Sequence, residues 1–233
     1  MKKIIEIRNL SYSYSEGNVA LDKINFEAEE GERIGIVGPN GAGKTTFLLH
    51  LNGILRGKGG VKIFGLEVKS ANLYTIRKMV GLIFQDPDDQ LFSPTVFDDV
   101  AFGPLNMDLP PDEVESRVRE VLREVGMLGF EQKFSYHLSL GEKKRVAIAT
   151  VLSMRPEILA FDEPTANLDP GMRRSLIKLL RNLQMTLIIA SHDLSMIEQL
   201  CTRVLLLNKG KIMAEGSTSE ILGNKKLMEE NGL

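Results

Sequence analysis

An α/β protein, built on a mostly parallel sheet with helices on both faces, is the fold that this 233-residue sequence predicts. Three observations predict it. Short β-rich apolar runs alternate with amphipathic ones along most of the chain. A glycine-rich turn, GPNGAGKTT (38–46), separates the apolar run RIGIV (33–37) from a helical pattern. A Pro- and Asp-rich stretch at 86–111, followed by two helical segments, interrupts the alternation.

Taken in order, IIEIRNL (4–10), VALDKINFEAEE (19–30) and RIGIV read as strands, and AGKTTFLLHLNGIL (42–55) reads as the helix that follows the glycine turn. VKIFG (61–65) and VGLIFQ (80–85) are further strands. Helical periodicity in DEVESRVREVLREVG (112–126) and GEKKRVAIATVLSM (141–154) marks a helical insertion. Alternation then resumes, with EILAF, TLIIA and RVLLLN as strands and GMRRSLIKLLRNLQ and LSMIEQL as helices, the pattern of a parallel sheet covered on both faces. The sequence contains no internal repeat and no low-complexity linker.

Composition narrows the function classes. With 43% hydrophobic and 26% charged residues, the chain reads as a soluble globular protein able to bury a sizeable core. Lys and Arg number 29 against 31 Asp and Glu, a net charge of -2, which gives no overall electrostatic argument for nucleic acid or an anionic membrane surface. The single cysteine, Cys201, permits no intrachain disulfide and points to a reducing compartment, and MKKIIEIRNL lacks the apolar block of a signal peptide. No apolar run approaches the roughly 20 residues that span a bilayer. The expectation is a cytoplasmic protein that would serve any membrane from outside the lipid.

GPNGAGKTT matches G-x-x-x-x-G-K-[ST] through Gly38, Gly43, Lys44 and Thr45, in the strand-to-helix context the motif requires. Glycines let successive backbone N–H groups curl round an anion, and the helix that starts there adds donors and a partial positive end. Lys44 would reach the outer phosphates of a nucleoside triphosphate and Thr45 a Mg2+ ion. The alternative is a plain glycine turn with a solvated lysine. EILAFDEPT (157–165) supplies Asp162 for the metal and Glu163 as a base at the end of a predicted strand, although two carboxylates before a proline could also be a polar turn. LSLGEKKR (138–145) puts Ser139 and Gly141 at a second helix start able to donate to an anion. SHD (191–193) places His192 at another strand end, within reach of a γ-phosphate, whereas His50 and His137 read as packing or surface residues.

GPNGAGKTT, Gln85 after VGLIF, LSLGE, EILAFDEP, ANLD and SHD stand in the order of the Walker A, Q-loop, signature, Walker B, D-loop and H-loop motifs. Over nearly its whole length the sequence resembles an ATP-binding cassette (ABC) ATPase. VGLIFQDPDDQLFSPTVFDDVAFGPLN further resembles the cobalt/nickel importer and energy-coupling factor ATPases. The resemblance implies a P-loop NTPase (RecA-like) core over 1–85 and 157–233, with an N-terminal antiparallel β part and a helical signature subdomain at 86–156. It implies ATP and Mg2+ as cofactors, with ATP held by Tyr14 on the adenine, by Gly38, Pro39, Asn40, Gly41, Ala42, Gly43, Lys44, Thr45 and Thr46, and by Ser139, Gly141 and Glu142 across a dimer. Tyr12 is the second choice for the adenine.

Thr45, Gln85 and Asp162 are the implied metal residues, and Glu163, His192, Lys44 and Gln85 the catalytic ones. The implied partners are a like or unlike second ABC ATPase, closing head to tail, an integral membrane component received by about residues 86–105, and a separate substrate-binding component, with no nucleic acid. The implied location is the cytoplasmic face of the membrane. Asp169 would reach across the dimer, and it can equally cap the helix that Pro170 begins. Two positions depart from the common signature LSGGQ: Leu140 restricts the backbone where a glycine is usual, and Glu142 brings negative charge where glutamine is usual.

Overall fold

The computed structural model describes residues 2–15 and 17–233. In chain order the strands and helices are β1 (Lys3–Ser13), β2 (Val19–Glu29), β3 (Arg33–Val37), α1 (Lys44–Leu51), β4 (Lys58–Ile63), β5 (Leu66–Glu67), α2 (Leu73–Met79), β6 (Val80–Ile83), α3 (Val96–Asn106) and α4 (Pro111–Glu124). They continue with α5 (Leu140–Leu152), β7 (Ile158–Asp162), α6 (Pro170–Asn182), β8 (Thr186–Ala190), α7 (Leu194–Leu200), β9 (Arg203–Asn208), β10 (Lys211–Ser217), α8 (Thr218–Gly223) and α9 (Lys225–Glu230). The chain forms two compact units, one of Met1–Leu82, Glu157–Glu163 and Gln184–Leu233, the other of Ile83–Pro156 and Pro164–Leu183. The sequence reading drew the helical part as 86–156. The structure also places 164–183, which contains α6, in that unit, a grouping no local signal encodes because the chain leaves the sheet at Glu163 and returns to it only for β8.

The first unit holds a four-stranded sheet ordered β2-β1-β4-β5 and a six-stranded sheet ordered β10-β9-β3-β8-β7-β6. β3 pairs in parallel with β8 and β9, and β7 in parallel with β8, while β9 and β10 form an antiparallel hairpin. β7 and β8 are buried at every position, as strands covered on both faces must be. In the antiparallel sheet β1 and β2 slip register near Asn9 and Lys23, both at positive φ. Side chains take up the disrupted ladder there: Asn9 N–H donates to Asn25 Oδ1 and Lys23 N–H to Ser11 Oγ.

Helix α1 is buried nearly all round, through Thr46, Phe47, Leu48, His50 and Leu51 among others. His50 is 1% exposed, with Nδ1 2.7 Å from the Thr46 carbonyl and the Tyr12 ring edge-on at 5.1 Å. Burial lowers its pKa from the ordinary 6.5. Cys201 is also buried, which pushes its thiol up to about 12. Among the described residues no helix is long and apolar enough to cross a membrane.

In the second unit, α4 buries Val114, Val118, Val121 and Leu122 along one stripe, and α6 buries Leu176, Ile177, Leu179 and Leu180. Helix α3 forms inside the Pro- and Asp-rich stretch that the sequence reading left without a helix. Thr95 caps it by accepting from Asp98 N–H, and Pro104 lies within it. A proline cannot donate to the carbonyl four residues earlier, here Val100. The fully buried Ser153 supplies the missing donor, its Oγ donating to Val100 O at 2.9 Å with Thr150 O also in reach at 2.9 Å. The buried Asp99 is satisfied in the same way, accepting from Phe92 N–H, Ser93 N–H and Ser135 Oγ–H. That carboxylate fixes the 92–93 turn to the segment leading into α5.

Replacing Ser153 by Ala should lower stability by about 1–3 kcal/mol. In a Pro104→Ala background the loss should shrink, because the restored N–H at position 104 can take the Val100 carbonyl. Denaturant midpoints of the double-mutant cycle check this, and additive effects would count against it. The His50 environment sets a pH dependence: its pKa lies lower folded than unfolded, so the unfolded chain binds more protons as pH drops below 6.5 and stability falls. Urea titrations at pH 7 and pH 5 should therefore show a smaller acid loss in His50→Leu than in the parent.

Candidate functional site

The site grows from the C-terminal ends of β3, β7 and β8. Ala190 at the end of β8 pairs with Ile36 of β3 on one side and Asp162 of β7 on the other, so the residues that follow each strand emerge together. After β3 the chain turns through Gly38 at φ 155°, where a Cβ would stand 2.0 Å from the Leu207 carbonyl oxygen of β9. At Gly43 (φ 104°) a Cβ would stand 2.4 Å from the Ala20 carbonyl oxygen. Glycine is required at both places by close backbone approach as well as by φ. The β9–β10 hairpin, turning through Lys209 and Gly210 at positive φ, braces the loop from beneath as Gly210 N–H donates to Ala42 O at 3.0 Å. Gly43 is the N-cap of α1 and offers no capping side chain, which leaves first-turn amide donors to a ligand.

Lys44 is buried, its ammonium held by the loop carbonyls of Gly38 and Pro39 at 2.9 and 3.2 Å and 3.8 Å from Glu163 Oε1. Thr45 Oγ1 donates to Asp162 Oδ2 at 2.7 Å. Glu163, 6% exposed, adopts φ 44°, an unusual conformation for a non-glycine residue that is tied down by its N–H to Ala190 O at 2.8 Å. Its carboxylate accepts from Ser191 Oγ at 2.9 Å, from His192 Nδ1 at 2.9 Å and from the His192 backbone N–H. Tyr14 stands just past β1, its hydroxyl 3.1 Å from Thr46 Oγ1 and its ring 44% exposed. Tyr12 packs edge-on between Tyr14 and His50, which leaves Tyr14 the freer face.

The structure thus brings Tyr14, the 38–46 loop, Asp162, Glu163 and His192 together in the first unit, and it adds Ser191. The second unit holds Gln85, Ser139, Gly141 and Glu142. Ser139 is the N-cap of α5 in a full capping box with Glu142. A Cβ on Gly141 would fall 2.1 Å from the tip of Met172, so the glycine admits α6 close to the start of α5. Asp169 caps α6, accepting from Gly171 and Met172 N–H at 2.7 and 3.0 Å.

Three side chains strap the segment after β6 to α5: Lys144 Nζ donates to Gln85 O at 3.0 Å, Gln90 Nε2 to Ala147 O at 2.7 Å, and Lys143 pairs with Asp88 at 2.6 Å. Sequence reasoning missed Ser191, Lys144, Gln90 and Asp99. Ser191 alone carried a signal, its place directly before His192 at a strand end.

Thr45 and Asp162 present hard oxygen donors side by side, the chemistry Mg2+ favours. Among the described residues no three His, Cys, Asp or Glu side chains converge on a metal-sized site, so an ion here would complete its shell with phosphate and water.

Comparison with known proteins places this geometry. The family profile described as ABC transporter matches residues 21–166. The energy-coupling factor transporter ATP-binding protein EcfA of Methanothermobacter thermautotrophicus is 50% identical, over 99% of this chain and 76% of that protein. The solved structure of cbiO1 from Clostridium perfringens, described as part of the ABC transporter complex cbiONQ, superposes with a TM-score of 0.86 at 38% identity, covering 99% of this chain and 94% of that one. A dimeric ATP-binding cassette in a post-hydrolysis state, bound to ADP and Pi, gives 0.81 at 26% identity, covering 92% and 99%. With the phosphate loop, the Asp162–Glu163 strand end and His192 gathered on one sheet edge, the chain belongs to the ABC transporter family and is one of its ATP-hydrolysing subunits.

Proposed function

We propose that this subunit powers an importer of the energy-coupling factor or cobalt-uptake type, hydrolysing ATP to ADP and phosphate at the edge formed by β3, β7 and β8. The observation that carries the reading is the Glu163 carboxylate, buried and aimed by Ser191 and His192 while 3.8 Å from the Lys44 ammonium. Likeness to EcfA and to cbiO1 supports the importer class.

In this reading the α1 amides and Lys44 bind the β- and γ-phosphates, which requires the ammonium to exchange the Gly38 and Pro39 carbonyls for phosphate oxygens. Tyr14 stacks on the adenine. Thr45 and Asp162 would hold Mg2+, which would neutralise phosphate charge when bound. Glu163 polarises the attacking water, its orientation fixed by Ser191, and His192 steadies the γ-phosphate. A second ABC ATPase copy, like or unlike, closes head to tail so that its Ser139 and Gly141 complete the triphosphate site, and Asp169 faces that junction. The chain works peripherally on the cytoplasmic face of the membrane beside a separate substrate-binding component.

The integral membrane component docks on the segment around 86–105. Phe92 and Phe102 are exposed there and stacked edge to face at 4.9 Å, with Leu105 exposed on the same helix as Phe102. Exposed aromatic and apolar side chains of this kind suit a protein interface.

Replacing Glu163 by Gln should slow turnover by about 10²- to 10⁴-fold while ATP binding and the closed dimer persist. Steady-state ATPase rates and size-exclusion profiles with ATP check this, and parental turnover would sink the assignment. Purification from native membranes should bring integral membrane proteins along, and the pair Phe92→Ala with Phe102→Ala should lose them. Co-purification with ribosomes or DNA instead would overturn the importer reading.

A further inference from the structure

We infer that Glu142 acts as a built-in competitor for the γ-phosphate at the start of α5, so that ATP-driven closure requires its carboxylate to leave Ser139. The inference rests on the proposed role of Ser139 in completing a partner's triphosphate site. Ser139 offers an anion two donors, its backbone N–H and its hydroxyl. Both go to the same oxygen, Glu142 Oε2, at 2.8 and 2.7 Å. A phosphate oxygen arriving at those donors must displace a carboxylate already seated on them, and it meets that charge at short range until the side chain swings away. The Ser139 hydrogen bonds hold the Glu142 carboxyl below the usual carboxylate range, so the group is an anion at neutral pH.

A capping box is also an ordinary way to start a helix, and the molecule contains a control for that role. Ser217 and Glu220 form the same box at α8, with Ser217 N–H and Oγ 3.0 and 2.7 Å from Glu220 Oε2. That helix carries none of the nucleotide motifs. Capping boxes form with Gln as well as Glu at the third position, because an amide oxygen accepts the same N–H. Helix initiation therefore does not need the charge that Glu142 brings. Among the two boxes, the one at α5 alone sets a negative charge on the donors that a triphosphate would use.

The test compares the full chain, in the assembly in which it is isolated, with its Glu142→Gln, Glu142→Asp, Ser139→Ala and Glu220→Gln variants. The readouts are the ATP concentration for half-maximal closure, by sedimentation in the slow-hydrolysing Glu163→Gln background, and the thermal midpoint. Glu142→Gln should keep the midpoint and lower the half-saturating ATP by about fivefold, while Glu220→Gln leaves it unchanged. Glu142→Asp keeps the charge, and an aspartate can also close a box of this kind, so it should leave the half-saturating ATP near the parent's. An unchanged or weakened ATP response in Glu142→Gln, or an equal gain in Glu142→Asp, overturns the inference. Ser139→Ala should raise the half-saturating ATP; if it does not, the failure belongs to the proposed role of Ser139, and Glu142 then has no phosphate to compete with.

Discussion

The parallel register of three strands governs this molecule. Because Ala190 is paired to Ile36 on one side and to Asp162 on the other, β3, β7 and β8 end level with one another. Whatever each strand carries next must then share one small volume at their carboxyl ends. The phosphate loop follows the first, Glu163 the second, and Ser191 with His192 the third. A one-residue slip of β7 would rotate Asp162 and Glu163 to opposite faces and break both the Thr45 hydrogen bond and the Ser191 contact.

A second constraint is the accounting of buried polar groups, which shapes the helical unit as strongly as apolar packing does. Pro104 within α3 and the carboxylate of Asp99 would each be unfavourable alone. Ser153 and the donors at 92, 93 and 135 make both tolerable. The same bonds tie the aromatic segment around Phe92 to the lead-in of α5, so the proposed docking surface and the signature helix belong to one hydrogen-bonded body. Lys144 and Gln90 extend that connection to the backbone at Gln85 and Phe84.

Charge at the starts of α1 and α5 differs in kind. At α1 the cap is a glycine that brings no acceptor of its own, and the buried ammonium of Lys44 rests on the Gly38 and Pro39 carbonyls. At α5 the donors of Ser139 are already taken by an internal carboxylate. The first turn of α1 therefore carries no internal anion, whereas that of α5 does.

The sequence by itself determined the alternation of β3, β6, β7, β8 and β9 with α1, α5, α6 and α7, the glycine-rich loop and the strand-end positions of Asp162, Glu163 and His192, because hydrophobic period and glycine placement are local properties. It also announced Asp169 as a cap through the Asp–Pro pair. It did not reveal α3, since a proline inside a helix is acceptable only when a distant side chain such as Ser153 takes over the lost bond. Nor did it reveal β10, whose Lys209–Gly210 turn was a signal but whose alternation is weak. The membership of 164–183 in the helical unit and the three donors on Glu163 were decided by tertiary structure alone. Each depends on which groups meet across space, or on which of several available acceptors a donor chooses, and no window along the chain contains that information.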